Sequence, residues 1–222
     1  MNQQKPEKII HSHNLEVIEI FKTIQGEGPW GGKICTFIRL AGCTLKCLWC
    51  DTDYTSHREL LSVEEVVGKC MTIGVDSIVL TGGEPFRQTA AVPLLHALTQ
   101  NGFHCQVETS GSVGIGNPLP RGTIVVCSPK TGKVFTDQVT DYKYVVEENG
   151  VDPLDGLPNR SPISGQALRL ARPTVGKDHI FISPWDVQDE EQNHKNTQTA
   201  VRVCLQHGYR LSLQIHKLVG LP

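Results

Sequence analysis

Three cysteines stand close together in the segment CTLKCLWCD, with the spacing C-x3-C-x2-C. They are Cys43, Cys47 and Cys50, and thiolates at such spacing are ligands for zinc or for iron–sulfur clusters. Three thiolates can bind three irons of a 4Fe–4S cluster, which leaves the fourth iron open to a substrate or cofactor. Because an open position is useful in a catalytic site and a defect in a structural one, the spacing favours a catalytic cluster.

A structural zinc site is the alternative for the same cysteines. Zinc in such sites has four ligands, so the fourth would come from a remote residue such as His57, His216 or Cys70. A chain built around such a site would be a structural or adaptor module. The neighbouring Trp49 would shield a cluster from solvent and oxygen, or would simply belong to the hydrophobic core.

A glycine turn, TGGEP at residues 81–85, follows the next predicted strand after the cysteines. Two successive glycines allow the backbone to approach a ligand closely. Many α/β proteins have such a turn, so the turn alone is weak evidence for a ligand site. Its position one strand after the cysteine segment makes that evidence stronger.

Further polar residues with possible functions precede the cysteines in the sequence. In QGEG, residues 25–28, Gln25 offers a donor and an acceptor whereas Glu27 only accepts. Together these two side chains suit the edge of a flat heterocycle that carries N–H groups. Arg39 lies within the apolar run FIRLAG, where its guanidinium would bind a substrate carboxylate or form a structural ion pair.

Short apolar runs between turn signals predict seven strands. Most runs are continuously apolar, which is typical of strands buried on both faces of a parallel sheet. The runs are at residues 35–42, 77–85, 103–111, 123–130, 142–147, 179–184 and 209–217.

Helical patterns alternate with these strands and predict an α/β fold. Ser62 and Glu65 form a capping box for a helix at residues 63–70, and two more helices are expected at 90–100 and 190–207. The polar motifs follow strand ends, where ligands bind in open sheets and barrels. Residues 148–178 are rich in proline and glycine and predict an irregular excursion, with a helical hint at 166–170.

Composition excludes several classes of protein. The chain has 222 residues, 39% hydrophobic content and a formal charge of −2, so we expect no direct nucleic acid partner and no membrane partner. The first residues are polar and lack the apolar core of a signal peptide. We therefore expect a cytoplasmic protein with reduced cysteines. Outside the cluster, the cysteines are expected to be buried small hydrophobic residues: Cys35, Cys70, Cys105, Cys127 and Cys204.

The cysteine spacing followed by GGEP resembles the radical S-adenosylmethionine (SAM) superfamily. The resemblance implies a 4Fe–4S cluster whose open iron binds SAM, and a 5′-deoxyadenosyl radical that takes a hydrogen from substrate. It also implies a full or partial (β/α) barrel. With about seven strands visible, we expect a partial barrel in a single domain spanning residues 1–222.

The wider set of motifs resembles the 7-carboxy-7-deazaguanine synthase family of queuosine biosynthesis. QGEG, the arginine strand, CxxxCxxCDT, TGGEP, ETSG, SPK and the terminal RLSLQIHKLVGLP occur in the expected order. The resemblance implies a carbon–nitrogen lyase acting on 6-carboxy-5,6,7,8-tetrahydropterin. The substrate loses a hydrogen atom from C6, its ring contracts, and ammonia departs to give 7-carboxy-7-deazaguanine.

The same resemblance implies roles for individual residues. The cluster ligands match Cys43, Cys47 and Cys50. Thr52 matches a ligand of Mg2+, and is otherwise a cap or turn residue. Cofactor contacts are expected at Trp49, Cys50, Asp51, Gly83, Glu84, Ser110, Ser128, Pro129, Lys130, Ser183 and Asp186. Substrate contacts are expected at Ile24, Gln25, Gly26, Glu27, Arg39, Thr81 and Pro222, the last through its terminal carboxylate.

One segment departs from the family pattern. Where relatives often carry Gln-Pro, this chain has Ser183-Pro184-Trp185-Asp186, so Trp185 would either stack on adenine or pack in the core. A flavodoxin or ferredoxin as electron donor and a homodimer are expected from the resemblance. The alternative enzyme of the same superfamily is a glycyl-radical activase that acts on a protein partner, against which QGEG and the chain's final residues argue.

Overall fold

The computed structural model describes residues 5–48, 50, 52–54 and 56–221. Within these residues the strands are β1 (Leu15–Ile24), β2 (Ile34–Leu40), β3 (Glu59–Leu61), β4 (Ser77–Gly82), β5 (His104–Thr109), β6 (Ile124–Cys127), β7 (Asp141–Val146), β8 (Ile180–Pro184) and β9 (Arg210–Leu211). The helices are α1 (Val63–Ile73), α2 (Ala91–Gln100), α3 (Glu190–His207) and α4 (Ile215–Leu218).

The described strands form one sheet in the order β3-β1-β2-β4-β5-β6-β7-β8-β9. Neighbouring strands are parallel from β2 to β9, whereas β1 is antiparallel to both β2 and β3. β3 and β9 lie at opposite edges, so the described sheet is not closed. This confirms the α/β partial barrel, and it brings the carboxyl ends of the parallel strands to one edge.

Helix α1 begins where the capping box was expected. The Ser62 hydroxyl accepts the Glu65 N–H, the Glu65 carboxylate accepts the Ser62 N–H, and Gly74 ends the helix in the left-handed conformation. Helix α2 buries Leu94 and Leu98 against the sheet. Each such side chain stabilises the fold by about 1.5–3 kcal/mol relative to an exposed one.

Two hydrophobic clusters cover the two halves of the sheet. The first joins β1–β5 to α1 and α2, and the second joins β6–β8 to α3 and Leu157. Four of the five cysteines outside the cluster motif are buried, as predicted, and Cys204 is half-buried. No helix in the described part of the chain has the length and apolar composition to span a bilayer.

Strand β1 was not among the predicted strands. Its sequence, LEVIEIFKTI, mixes apolar and charged side chains, and most of them are half-buried or exposed, unlike the continuously apolar parallel strands. The predicted strand at residues 209–217 was wrong beyond β9. After Leu211 the chain leaves the sheet: the Ser212 hydroxyl accepts the Gly28 N–H, and Ile215 N–H donates to the Gly26 carbonyl at the start of α4.

The excursion between β7 and β8 has turns, two isolated bridges and a single short 3-10 turn within residues 147–179. The helical hint at residues 166–170 was wrong, because Ala167 pairs with Arg160 in one of these bridges. Within the excursion, the Pro162 carbonyl accepts the Leu48 N–H at 2.8 Å, and the Ala171 N–H donates to the Thr131 carbonyl at 2.9 Å. The excursion therefore packs against both the cysteine loop and the loop that follows β6.

Candidate active site

A cavity of about 470 Å3 lies at the carboxyl edge of the parallel strands. Most of the residues predicted for the site line it. From the metal and cofactor sets these are Cys43, Cys47, Cys50, Thr52, Gly83, Ser110, Ser128, Lys130 and Asp186; from the substrate set they are Ile24, Gln25, Gly26, Glu27, Arg39 and Thr81. The fold thus brings together residues from β1 to the segment before α3 around one space.

The three cysteines line one end of this cavity, the cysteine end. Burial raises the pKa of the Cys43 thiol to about 12, and the Leu45 N–H donates to its sulfur at 3.4 Å. Among the residues that the structure describes, no three His, Cys, Asp or Glu side chains converge to hold a single metal ion. In an iron–sulfur cluster the thiolates bind different irons, so ligands around a shared cavity fit a cluster better than a mononuclear zinc site.

The cysteine loop is held at both ends by backbone hydrogen bonds. Gly42 N–H donates to the Tyr54 carbonyl at 2.9 Å, and the Glu7 N–H donates to the Cys43 carbonyl at 2.7 Å. The Tyr54 hydroxyl crosses the loop to the Leu45 carbonyl. These bonds fix the backbone on which the thiolates are mounted.

The glycines of TGGEP allow the turn to press against the start of this loop. A Cβ on Gly83 would lie 2.2 Å from the Gly42 carbonyl oxygen and 2.7 Å from the Cys43 Cβ. Gly82, at φ 143°, would meet the Leu40 carbonyl at 2.1 Å. The close approach predicted for these glycines is thus made to the protein's own backbone, and both also line the cavity.

Glu84 is fully buried and does not line the cavity. Its carboxylate accepts the Thr109 hydroxyl at 2.7 Å and the Ser110 N–H at 3.0 Å. Burial raises the pKa of this carboxyl despite those bonds. Glu84 therefore ties the TGGEP turn to the end of β5, and it reaches a cofactor only through Ser110.

Two more residues predicted for the cofactor do not line the cavity. Pro129 and Ser183 are both buried. Their neighbours in sequence do face it: Lys130 donates to the Ser128 hydroxyl at 2.8 Å, and Trp185 and Asp186 line the wall after β8. Lys130 is thus directed into the site rather than being a solvated surface lysine.

The opposite end of the cavity, the charged end, has an ionic cluster that the sequence did not reveal. Lys143 on β7 pairs with Glu27 at 2.8 Å and with Glu108 on β5 at 3.1 Å. Burial alone would lower the pKa of Lys143, but the two carboxylates outweigh it and raise the pKa. Gln25 donates its amide to Glu108 at 3.2 Å. Glu108 precedes the serine of ETSG, and this motif was the available signal for it; Lys143 lies within a strand pattern that gave none.

The sequence predicted that Arg39 would form a structural ion pair or bind a substrate carboxylate, and its position is compatible with both roles. Its Nε donates to Glu19 at 2.6 Å across the β1–β2 pair, and the guanidinium lies 5.8 Å from the centre of the Phe21 ring. Arg39 also lines the cavity. Because the ion pair uses Nε, the outer nitrogens of the fork are left for a ligand.

The last described residues close the cavity beside QGEG. A Cβ on Gly26 would lie 1.7 Å from the His216 ring, so any larger residue there would force the imidazole to move. Lys217 pairs with Asp186 at 3.1 Å, and Leu221 lines the cavity. Three predicted residues, Trp49, Asp51 and Pro222, lie outside the described residues.

Known proteins resemble this chain in both the cysteine motif and the overall sequence. Residues 37–115, which contain the cysteines and TGGEP, match the model of the radical SAM superfamily. Two curated relatives are the 7-carboxy-7-deazaguanine synthases of Rhodospirillum rubrum and Clostridium acetobutylicum. Each is 38% identical, over 94% of this chain and over 93% and 97% of the relative.

The fold is also similar to a solved structure. The crystal structure of QueE from Escherichia coli matches with a TM-score of 0.68 and 26% identity, over 90% of this chain and 94% of that one. Since the curated relatives are matched over nearly their whole length at this identity, the chain belongs to the 7-carboxy-7-deazaguanine synthase family of the radical SAM superfamily.

Proposed function

We propose that the chain converts 6-carboxy-5,6,7,8-tetrahydropterin to 7-carboxy-7-deazaguanine, with loss of ammonia, in queuosine biosynthesis. The observation that carries the proposal is one cavity whose wall holds three thiols, the guanidinium of Arg39, and two carboxylates paired with Lys143. The relatives bear the synthase name over the whole chain, which favours this reaction over the activase alternative.

Membership of the superfamily implies a 4Fe–4S cluster and SAM. When bound, they supply the radical that takes a hydrogen atom from the substrate. The residues that would hold the cluster are Cys43, Cys47 and Cys50. Lys130 and the hydroxyls of Ser110 and Ser128 line the wall beside them and suit the carboxylate and amino groups of an amino acid ligand.

The charged end of the cavity and Arg39 would together bind and orient the substrate. Glu27 and Glu108 accept hydrogen bonds from the N–H groups of a pterin edge, and Arg39 presents its outer nitrogens to the 6-carboxylate. Holding both ends of the substrate places C6 toward the cysteine end. Such orientation is the protein's main contribution when a cofactor carries the chemistry.

Thr52 lines the cavity beside Cys50 and is proposed as a ligand of Mg2+, with substrate oxygens and water completing the shell. The proposal extends to contacts by Trp49 and Asp51 with the cofactor and by Pro222 with the substrate. We further propose flavodoxin or ferredoxin as the reductant, a homodimer, a cytoplasmic location and a single domain over residues 1–222; the continuous sheet supports the last of these.

The direct test is an anaerobic assay of reconstituted protein with the carboxypterin, SAM, Mg2+ and dithionite. We expect 7-carboxy-7-deazaguanine to form without a partner protein. Cleavage of SAM with no conversion of the pterin, while another substrate is consumed, would overturn the proposal.

A further inference from the structure

The ammonium of Lys143 lies at the junction of three elements near the centre of the sheet. Its side chain is only 12% exposed, and its two partners are similarly enclosed, Glu27 at 16% and Glu108 at 15%. Glu27 comes from the turn after β1, whereas Glu108 and Lys143 stand on β5 and β7 with β6 between them. A charge placed here links strands β5 and β7, which are not neighbours in the sheet, to the turn after β1.

Lys143 stands between the two carboxylates of the ionic cluster. Two carboxylates share one ammonium, and two enclosed carboxylates without it would oppose each other's ionisation. An ionised carboxylate only accepts hydrogen bonds, while a protonated one also donates. The lysine therefore decides what kind of hydrogen-bonding edge the cavity presents.

The carboxylate of Glu108 is held in place by hydrogen bonds to both of its oxygens. Its Oε1 accepts the amide groups of Gln25 at 3.2 Å and of Gln106 at 2.8 Å, and its Oε2 accepts Lys143. A carboxylate has about four acceptor sites, so Oε2 retains the capacity to accept one more donor. The amides and the lysine hold the carboxylate in one orientation.

We propose that Lys143 is a specificity-determining positioning residue. By holding Glu27 and Glu108 as a pair of ionised acceptors, it selects ligands whose edge carries adjacent N–H donors and rejects those that present a carbonyl there. This inference rests on the proposed function, in which the selected edge is the amino-pyrimidinone of a pterin.

The test compares two ligands that differ only at this edge. Fully oxidised 6-carboxypterin has an exocyclic amino group, which 6-carboxylumazine replaces by a carbonyl. Dissociation constants are measured by fluorescence titration of anaerobically reconstituted protein with SAM. We expect the wild-type protein to prefer the pterin by at least about tenfold, as for a hydrogen bond to a charged group.

Lys143→Met should lose most of this preference while retaining iron content and substrate-independent cleavage of SAM. The matched control is Lys195→Met, which removes a lysine paired with Glu191 on the open face of α3 and should keep the preference. Lys143→Arg retains the charge and should keep the preference even with weaker binding, and it serves if the methionine variant does not fold.

The outcomes separate the two proposals. Failure of the wild-type protein to bind 6-carboxypterin would contradict the proposed function itself. Preference for the pterin in the wild type and to the same degree in Lys143→Met would overturn only the role of Lys143. Loss of the preference in a folded Lys143→Arg variant would overturn it too.

Discussion

The two ends of the cavity are held in different ways. At the cysteine end, backbone hydrogen bonds fix the loop, and Glu84 is buried among hydroxyl and N–H groups, with no salt-bridge partner among the described residues. At the charged end, Lys143 pairs with Glu27 and Glu108, and Arg39, on β2 between the two ends, pairs with Glu19 on β1. One end is set mainly by shape and backbone, the other by charge.

This difference separates two kinds of sensitivity. At the cysteine end no other group can replace a cluster ligand or relieve a close backbone contact. Single substitutions there should therefore remove the cofactor and all activity. Changes at the charged end or at Arg39 should leave the cofactor in place and alter substrate binding. The following variants test that separation, in order of decreasing expected effect.

Cys47→Ala should abolish the reconstituted cluster, cleavage of SAM and product formation together, because a cluster iron loses its thiolate. The control is Cys204→Ala, which removes a similarly half-buried thiol from α3, away from the cavity. Iron analysis and the anaerobic assay measure both. Full iron content and turnover in Cys47→Ala would remove this residue from the ligand set.

Gly83→Ala should destabilise the fold by roughly 1–3 kcal/mol, the usual cost of overpacking, and lower iron retention. Its Cβ would lie 2.2 Å from the Gly42 oxygen, whereas a Cβ on Gly68 in α1 meets nothing within 4 Å. Gly68→Ala is therefore the control, and should stabilise the helix slightly. Urea denaturation compares them, and equal stability of the two variants would show that the contact with the cysteine loop is not tight.

Arg39→Lys should raise the KM for the carboxypterin by about tenfold or more, because lysine cannot reproduce the planar fork. Iron content should be unchanged. Glu19→Gln removes the ion pair to Nε but keeps the fork, and should change KM much less. If instead Glu19→Gln matches Arg39→Lys in steady-state kinetics, the arginine is structural.

Glu7→Gln should have the smallest effect, on stability alone. The hydrogen bond from Arg58 holds the pKa of the Glu7 carboxyl below its ordinary value of 4.5, with Arg87 adding to it. A lowered folded-state pKa stabilises the protein above pH 4.5, and this contribution disappears as the pH falls toward the folded-state pKa.

The stability difference from wild type should therefore be about 1 kcal/mol at pH 7 and shrink below about pH 4.5. Urea denaturation at several pH values measures it. Asp137→Asn, at an exposed position, is the control. A difference for Glu7→Gln that stays constant down to pH 3 would contradict the assigned ion pairs.

The same contrast explains what the sequence could predict. The cysteine end is local: its ligands, its glycine turn and the capping box of α1 lie within 43 residues of each other, and their types and spacing carry the chemistry. The α/β order also followed from apolar runs, since parallel strands are buried on both faces.

The charged end was predicted only in part. Gln25, Glu27 and Arg39 stood out as polar residues in unusual places, but Lys143 alternates with tyrosine in a strand and looks like any solvent-facing lysine. Only the order of β5, β6 and β7 places it beside Glu108. The turn of the chain into α4 was likewise fixed by contacts with Gly26 and Gly28, nearly 190 residues earlier.

Both ends of the cavity are proposed to belong to one site, so that C6 of the substrate lies within reach of the radical carbon. The most direct test uses 6-carboxytetrahydropterin deuterated at C6, with SAM and reductant, followed by mass spectrometry of the cofactor. We predict that deuterium accumulates at the 5′ carbon of SAM or of 5′-deoxyadenosine as product forms. Product formation with the deuterium recovered only in solvent would contradict this account.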